Sequence, residues 1–147
     1  MFRKEEKMMK AASFMAIVTS LLACLFITQA HSQNAGVHAD AIRSVEKWLS
    51  LIDGYKYRET WEGLSDVFKK TITKEQWLAD LESFRKPLGK PEKRRFLYVT
   101  ESSDIDVGPY LIIQYQTSFE NKGSKGEAVS VTRDNTGKWK VLGYTVF

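Results

Sequence analysis

Four acidic side chains lie close together in the sequence, where paired carboxylates could carry out general acid–base catalysis. They are Asp53, Glu59, Glu62 and Asp66. A carboxyl group serves as an acid or base near neutral pH when an apolar pocket or a neighbouring charge shifts its pKa. Helix ends and exposed surfaces carry the same residues without any catalysis, and a helix dipole stabilises an anion such as Asp66 in a first turn. The pattern therefore favours a structural role.

Aromatic residues give the strongest chemical signal, with four tryptophans in 147 residues. Trp48 and Trp77 recur at helical spacing with other apolar residues, and Trp139 lies on an alternating strand, so we expect these three in the core. Trp61 stands beside Tyr55 and Tyr57 in a short connecting segment and is the best candidate for lining a pocket. Its indole N–H would need a hydrogen-bond partner if buried.

Three arginines bracket the turn between the last predicted helix and the first predicted strand: Arg85, Arg94 and Arg95. Side chains alternate along a strand, so Arg94 and Arg95 point to opposite faces and at most one of them points inward. A buried arginine must be paired or bind an anion. We expect pairing with a helix carboxylate, and anionic-ligand binding and solvent exposure remain alternatives.

The candidates for lining a ligand pocket are therefore aromatic and cationic. They are Tyr57, Trp61, Arg85, Arg94 and Tyr115. No residue is assigned as catalytic or metal-ligating, and no cofactor is expected.

Several chemistries lack their residues. A Ser–His–Asp relay would depend on His38, near the start of the first predicted helix. A zinc site needs about three protein ligands, usually His or Cys, and no glycine-rich phosphate loop is present. Asp104 and Asp106 offer too few clustered oxygen ligands for a cation site and fit a solvated loop better. The one cysteine, Cys24, lies in a segment that we expect to be removed.

That segment, residues 1–32, has the layout of a secretory signal peptide. A basic stretch is followed by an apolar run from Ala11 to Ile27 and by small residues at Ala30 and Ser32. We expect cleavage after Ser32, with cleavage after Ala30 as the alternative and Met8 as an alternative start to Met1.

Two other fates of the first 32 residues remain open. The apolar run is about 17 residues, at the lower edge of what a membrane-spanning helix needs, so a retained anchor is possible. Leu21–Cys24 resembles a lipobox, which would make the protein a lipoprotein anchored at Cys24. Membrane contact is expected only through the signal peptide or that lipid anchor.

Residues 33–147 form one expected domain of 115 residues, with 18 Lys and Arg against 16 Asp and Glu. So small a net charge does not favour nucleic acid as a partner. An exported chain without cysteine in its mature part forms no disulfide, which favours the bacterial periplasm or envelope.

Apolar residues at helical spacing predict a helix over Ala35–Asp53, which Gly54 would end in a left-handed conformation. Two short helical pieces, Tyr57–Leu64 and Ser65–Lys70, are expected next, with Val67 and Phe68 among their inward residues. Thr73 and Gln76 form a capping box at the start of a further helix, whose apolar stripe ends at Phe84.

After Pro91 the apolar period changes to two, which predicts strands. They are Arg95–Thr100, Tyr110–Glu120, Ala128–Arg133 and Lys138–Phe147, with a loop at Ser102–Gly108. Asp134–Gly137 is a hairpin signal. On the last strand, Trp139, Val141, Thr145 and Phe147 are placed on one face.

Helices followed by strands in meander order predict an α+β fold: N-terminal helices packed on a curved four-stranded antiparallel sheet. This is the cystatin-like or nuclear-transport-factor-like cone, which often leaves a concave pocket between sheet and helices. The architecture alone carries no function.

The chain resembles the bacterial exported family catalogued as domain of unknown function 4019. The matching segments are Trp48–Tyr55, Thr60–Trp61, Phe68–Lys70, Ile72–Trp77, Arg85–Gly89, Arg94–Arg95, Thr117–Phe119, Lys122, Glu127, Val129, Gly137–Val141 and Gly143–Tyr144. The resemblance spans roughly Ala39–Phe147. The Ser102–Gly108 loop departs from the glycine- and proline-rich loop of the family. The resemblance implies the fold and implies no reaction.

Three functions are compatible with these observations. The leading hypothesis is an exported, non-catalytic domain that binds a small ligand or an envelope protein in the concavity. An alternative is a cone-fold hydrolase or isomerase that uses a pocket carboxylate, with Tyr57 or Tyr115 as hydrogen-bond donor. A structural or assembly factor that uses an exposed strand edge is the third.

Overall fold

A computed structural model describes residues 36–147, and the chain divides into two units, Met1–Ala39 and Asp40–Phe147. The sheet and the site discussed below belong to the second unit. The expectations for the signal peptide, its cleavage sites and a lipid anchor at Cys24 lie outside the described residues. Within residues 36–147, no helix is long and apolar enough to cross a membrane.

The first helix, α1, occupies residues 36–53 and ends in a Schellman motif. Lys56 N donates to Leu51 O (2.8 Å) and Tyr55 N donates to Ile52 O (3.1 Å). The left-handed residue is Tyr55 (φ 56°), not Gly54 as predicted. The helix ends at Asp53 as predicted, but the backbone of Gly54 has no positive φ, and the left-handed position falls one residue later, on a residue with a Cβ.

Short helices follow α1: α2 (Tyr57–Thr60), a 3₁₀ turn (Trp61–Gly63), α3 (Asp66–Lys69) and α4 (Lys74–Asp80). The predicted capping box of α4 is confirmed, because Thr73 and Gln76 bond each other's backbone N–H at 3.2 and 3.1 Å. The chain then winds through a π-helical turn (Leu81–Arg85) and a 3₁₀ turn (Lys86–Leu88) into the sheet.

The sheet has four antiparallel strands in the order of the chain: β1 (Pro91–Asp104), β2 (Gly108–Phe119), β3 (Gly123–Arg133) and β4 (Trp139–Val146). The predicted α+β class, helices on an antiparallel sheet, is confirmed. β1 and β3 are longer than predicted, and most of the expected loop at Ser102–Gly108 is a hairpin. Backbone pairing continues through polar residues there, where side-chain alternation gives no signal.

Two bulges change which residues point to the core. In β4 the register shifts after the pair Val131–Val141, so Leu142 is the extra residue and Tyr144 turns inward. The predicted face is therefore wrong at its end: Thr145 is exposed and Phe147 is 67% exposed. In β1 the extra residue of the second bulge is Leu97, and a further register shift near the start of the strand leaves Glu92 as an extra residue.

The core lies between the helices and the inner face of the sheet. All five predicted inward residues of β2 are buried: Leu111, Ile113, Tyr115, Thr117 and Phe119. Trp48 packs near Trp77 (6.2 Å between ring centroids) and edge-on against Tyr144 (5.5 Å). The prediction that Val67 and Phe84 point inward is wrong, because both are exposed, although the centre of the Phe84 ring lies 6.0 Å from that of Tyr144.

Candidate functional site

A buried ion cluster of Asp53, Arg85, Arg94 and Glu127 joins the helices to the sheet. Asp53 ends α1, Arg85 ends the π-helical turn, Arg94 lies on β1 and Glu127 lies on β3. Arg94 points inward because it pairs with Thr117, whose side chain is buried. The cluster therefore unites residues from four elements that are distant in sequence.

Glu127 is fully buried, and every acceptor site of its carboxylate is used. Oε1 accepts from Arg94 Nη2 (3.1 Å) and from the Tyr144 hydroxyl (2.8 Å). Oε2 accepts from Arg94 Nε (2.6 Å) and from the Thr117 hydroxyl (2.7 Å). No lone pair is left with which this carboxylate could take a proton from a substrate.

Asp53 receives both arginines. Its Oδ1 accepts from Arg85 Nη2 (2.9 Å) and Arg94 Nη2 (3.0 Å), and its Oδ2 accepts from Arg94 Nη1 (2.7 Å). Arg85 is fully buried, donates also to Gly89 O (2.7 Å) and stacks 4.7 Å from the centre of the Phe119 ring. A guanidinium without such partners would be costly to bury.

The electrostatics fix the charge state of the cluster. Burial alone would lower the pKa of Arg94, but the hydrogen bonds and charges of Asp53 and Glu127 outweigh it and raise that pKa. Burial, together with the negative charge of Glu127, raises the pKa of Tyr144. Arg94 therefore stays charged and Tyr144 stays neutral at physiological pH.

A surface cleft of about 460 Å³ lies beside α2 and has a different character. We call it the Tyr55 cleft; its lining residues are Tyr55, Lys56, Tyr57, Arg58, Glu59, Leu78 and Glu82. Tyr55 holds its left-handed backbone there, which is uncommon for a bulky residue and often marks a functional segment. The rings of Tyr55 and Tyr57 meet edge to face, 6.0 Å between centroids.

Tyr57 carries an unmet hydrogen bond at the Tyr55 cleft. Its side chain is 4% exposed, and its hydroxyl has no partner among residues 36–147. Burial, opposed by the positive charge of Arg85, raises the pKa of Tyr57 to about 12. The hydroxyl is therefore protonated near neutral pH and can donate a hydrogen bond.

Within residues 36–147, the structure places the five predicted pocket residues in different surroundings. Tyr57 lines the Tyr55 cleft, and Arg85 and Arg94 belong to the ion cluster. Trp61 is half-buried with the ammonium of Lys69 5.7 Å from its ring centre. Tyr115 is buried on the inner face of β2, 6.1 Å from Phe96.

The predicted carboxylates are likewise divided. Asp53 belongs to the ion cluster and Glu59 lines the Tyr55 cleft, whereas Glu62 and Asp66 are exposed. No group of three potential metal ligands occurs within the described part of the chain. Asp104 Oδ1 accepts from Asp106 N (2.9 Å), so these two residues shape the β1–β2 turn.

Sequence reasoning missed the role of Glu127. A signal was present: Glu127 alternates in phase with Val129 and Val131, two residues of β3 that are buried in the core. A charge in register with two buried valines predicts an inward carboxylate that needs a partner. The left-handed backbone of Tyr55 had no comparable signal.

These elements and contacts define an α+β domain in which an open four-stranded antiparallel sheet is joined to its helices by an ion cluster. The chain belongs to the family of proteins of unknown function DUF4019, which matches residues 44–144.

One solved structure, from Catenulispora acidiphila, is similar in fold, with a TM-score of 0.54 and 13% sequence identity. The match covers 78% of this chain and 93% of that one. At this identity the likeness shows the fold alone. No curated protein matches the chain significantly.

Proposed function

We propose that this protein is a non-catalytic binding domain of the bacterial envelope, exported by residues 1–32, and that its ligand site is the Tyr55 cleft. The observation that carries the proposal is the Tyr57 hydroxyl: it is buried without a partner among the described residues, on a residue that lines the cleft. An unmet buried hydroxyl costs about 1–3 kcal/mol. A ligand that accepts its hydrogen bond would recover part of that cost.

The cleft lining indicates the chemistry of the ligand. Tyr55 and Leu78 offer apolar surface, Lys56 and Arg58 offer positive charge, and Tyr57 offers a donor. The Glu82 carboxylate is already held by the Lys86 ammonium (2.6 Å). A small organic ligand with an acceptor oxygen and an apolar body fits this lining, and a volume of about 460 Å³ suits a molecule of that size.

The ion cluster supports a non-catalytic function. A hydrolase or isomerase would need a carboxylate free to exchange a proton. Glu127 has its acceptor sites occupied, and Asp53 accepts three arginine hydrogen bonds. These two acids serve the fold.

Native mass spectrometry of the protein purified from the host envelope tests the proposal. We expect a fraction of the wild-type protein to carry additional mass from a bound small molecule. Tyr57→Phe removes only the hydroxyl and should reduce that fraction severalfold, and Tyr55→Ala should abolish it.

Tyr115→Phe is the matched control, because the Tyr115 hydroxyl is also buried without a partner in residues 36–147, but Tyr115 does not line the Tyr55 cleft. It should retain the bound mass. Equal retention in Tyr57→Phe and Tyr115→Phe would contradict the assignment of the site, and purely unliganded wild-type protein would contradict the binding function.

A further inference from the structure

The outer edge of β1 is long, and no strand among residues 36–147 pairs with it. β1 has 14 residues, whereas strands of five or six are usual, and it pairs only with β2 among residues 36–147. At the other edge of the sheet, part of β4 is covered, because Ser65 N donates to Val141 O (2.8 Å). An open strand edge is a template on which another strand can pair.

The charge along β1 and its flanks is divided into two opposite halves. Residues 90–97 contain four basic residues and one acidic residue, and residues 98–106 contain three acidic residues and no basic one. Lys90 and Lys93 are exposed in the first half, and Asp104 and Asp106 are exposed in the second. A second copy of this edge, running antiparallel, would therefore place each basic half beside an acidic half.

Because of the bulge at Leu97, residues that lie equally far from the middle of β1 on its two sides point to the same face of the sheet. Two antiparallel copies of this edge therefore match in side-chain direction. The bulge lies at the middle of β1 and shifts the alternation by one residue. Lys93 pairs with Ser118 of β2, and Ser102 pairs with Tyr110, so both point to the outer face of the sheet. A two-fold axis near Leu97 would set Lys93 opposite Ser102 of the second copy, with Asp104 as its diagonal neighbour, within reach of a long side chain.

Apolar surface lies at the same place. Phe96 is 43% exposed and Tyr98 is 51% exposed, and both flank the bulge. Phe96 pairs with Tyr115 on the inner face of the sheet, and Tyr98 pairs with Gln114 on the outer face. In the antiparallel arrangement the two Phe96 rings would therefore approach each other on one face of the joined sheet and the two Tyr98 rings on the other. Protein interfaces usually have aromatic residues in the buried centre and polar or charged residues at the rim.

We propose that two copies of this chain associate through antiparallel pairing of their β1 edges, which forms a continuous eight-stranded sheet. The contact is isologous: the same surface serves both partners, as in most homodimers. The contact lies on β1, and no residue of β1 lines the Tyr55 cleft. The dimer and the ligand site can therefore be tested independently of each other.

Charge reversal tests the proposal by sedimentation velocity on the purified protein at several concentrations. We expect the wild type to dimerise, more weakly as salt is raised. Lys90→Glu/Lys93→Glu sets acid against acid, and Asp104→Lys/Asp106→Lys sets base against base. Each should weaken the dimer at least ~10-fold, since like charges across strands repel.

Two further samples identify the pairing. A mixture of the two double variants should form a heterodimer, and the quadruple variant that combines them should again form a homodimer. Lys122→Glu/Lys138→Glu is the matched control: it changes the net charge equally in the other two hairpin turns and should leave the dimer intact. A monomeric wild type, a dimer unaffected by the β1 reversals, or no recovery in the mixture and the quadruple variant would overturn the proposal.

Discussion

The ion cluster and the Tyr55 cleft are two polar regions that differ in how far their hydrogen-bonding groups find partners within the protein. In the cluster, Glu127 has all its acceptor sites filled by protein donors. At the cleft, the Tyr57 hydroxyl is buried without a partner among the described residues, beside a left-handed Tyr55. The fully paired Glu127 carboxylate stabilises one arrangement of the chain, whereas an unmet donor and a strained backbone reduce stability. The cluster also contains one unmet donor, because Arg85 Nε is buried without a partner among the described residues.

This difference separates residues that hold the fold from residues available to a ligand. Arg85 and Arg94 have the chemistry of an anion site, but their anions are already supplied by the chain. Tyr57 has a weaker chemical signal, and yet its hydroxyl has no partner among the described residues. Residue type alone would suggest a binding site at the arginines, and these contacts are the reason that we propose the Tyr55 cleft instead.

The largest expected effect is that of Arg94→Met. It leaves Glu127 buried without its cation and removes two of three donors from Asp53, so we expect a loss of about 3–5 kcal/mol in the free energy of unfolding. Arg95→Met is the matched control, because Arg95 is exposed and should change stability by at most ~0.5 kcal/mol. Denaturant unfolding measures both, and similar losses would mean that the cluster adds nothing specific.

A smaller loss is expected from Thr60→Val, which acts beneath the cleft. The Thr60 hydroxyl accepts from Trp77 Nε1 (2.9 Å) and donates to Tyr57 O (2.6 Å). Valine keeps the shape of threonine but leaves the buried indole N–H of Trp77 without an acceptor, which should lower the free energy of unfolding by about 1–3 kcal/mol. Thr71→Val removes a similar but exposed bond to Phe68 O and should cost less. A greater loss in Thr71→Val would refute this explanation.

Alkaline pH should unfold the domain through its buried tyrosines. Burial raises the pKa of Tyr57, Tyr115 and Tyr144 above the ordinary value of 10.0. Their contribution to stability is therefore complete below pH 10 and falls as pH rises through the folded-state pKa, about 12 for Tyr57. Tyr144→Phe should flatten this decline in denaturant midpoint, whereas Tyr98→Phe, which is half-exposed, should not. Parallel declines in both variants would exclude Tyr144 as a cause.

The smallest change in stability is expected for Tyr57→Phe, and its sign is the informative part. Because the hydroxyl has no partner in residues 36–147, its removal should leave the unliganded protein equally or slightly more stable. Thermal unfolding after ligand removal measures this. A clear loss of stability would show that the hydroxyl serves the fold, and the contrast with the ion cluster would disappear.

The strands and helices could be predicted from the sequence because apolar spacing reports burial directly. The β2 face from Leu111 to Phe119 and the Thr73 capping box are examples. The ion cluster was only partly predictable. Alternation predicts that at most one of Arg94 and Arg95 points inward and pairs with a helix carboxylate, but which of them does so, and the approach of Glu127, 33 residues from Arg94, depend on strand register. The bulge at Leu142, which turns Tyr144 onto Glu127, has no signature in the apolar pattern.

A double-mutant cycle on Arg94→Met and Glu127→Leu tests most directly whether the ion cluster acts as one structural unit. If it does, the double variant should lose about 1–3 kcal/mol less unfolding free energy than the two single losses added together, since neither charge is then left alone. If the two single losses add to within about 0.5 kcal/mol of the double loss, the cluster does not act as one structural unit. The distinction between a cluster that holds the fold and a cleft that is available to a ligand would then fail as well.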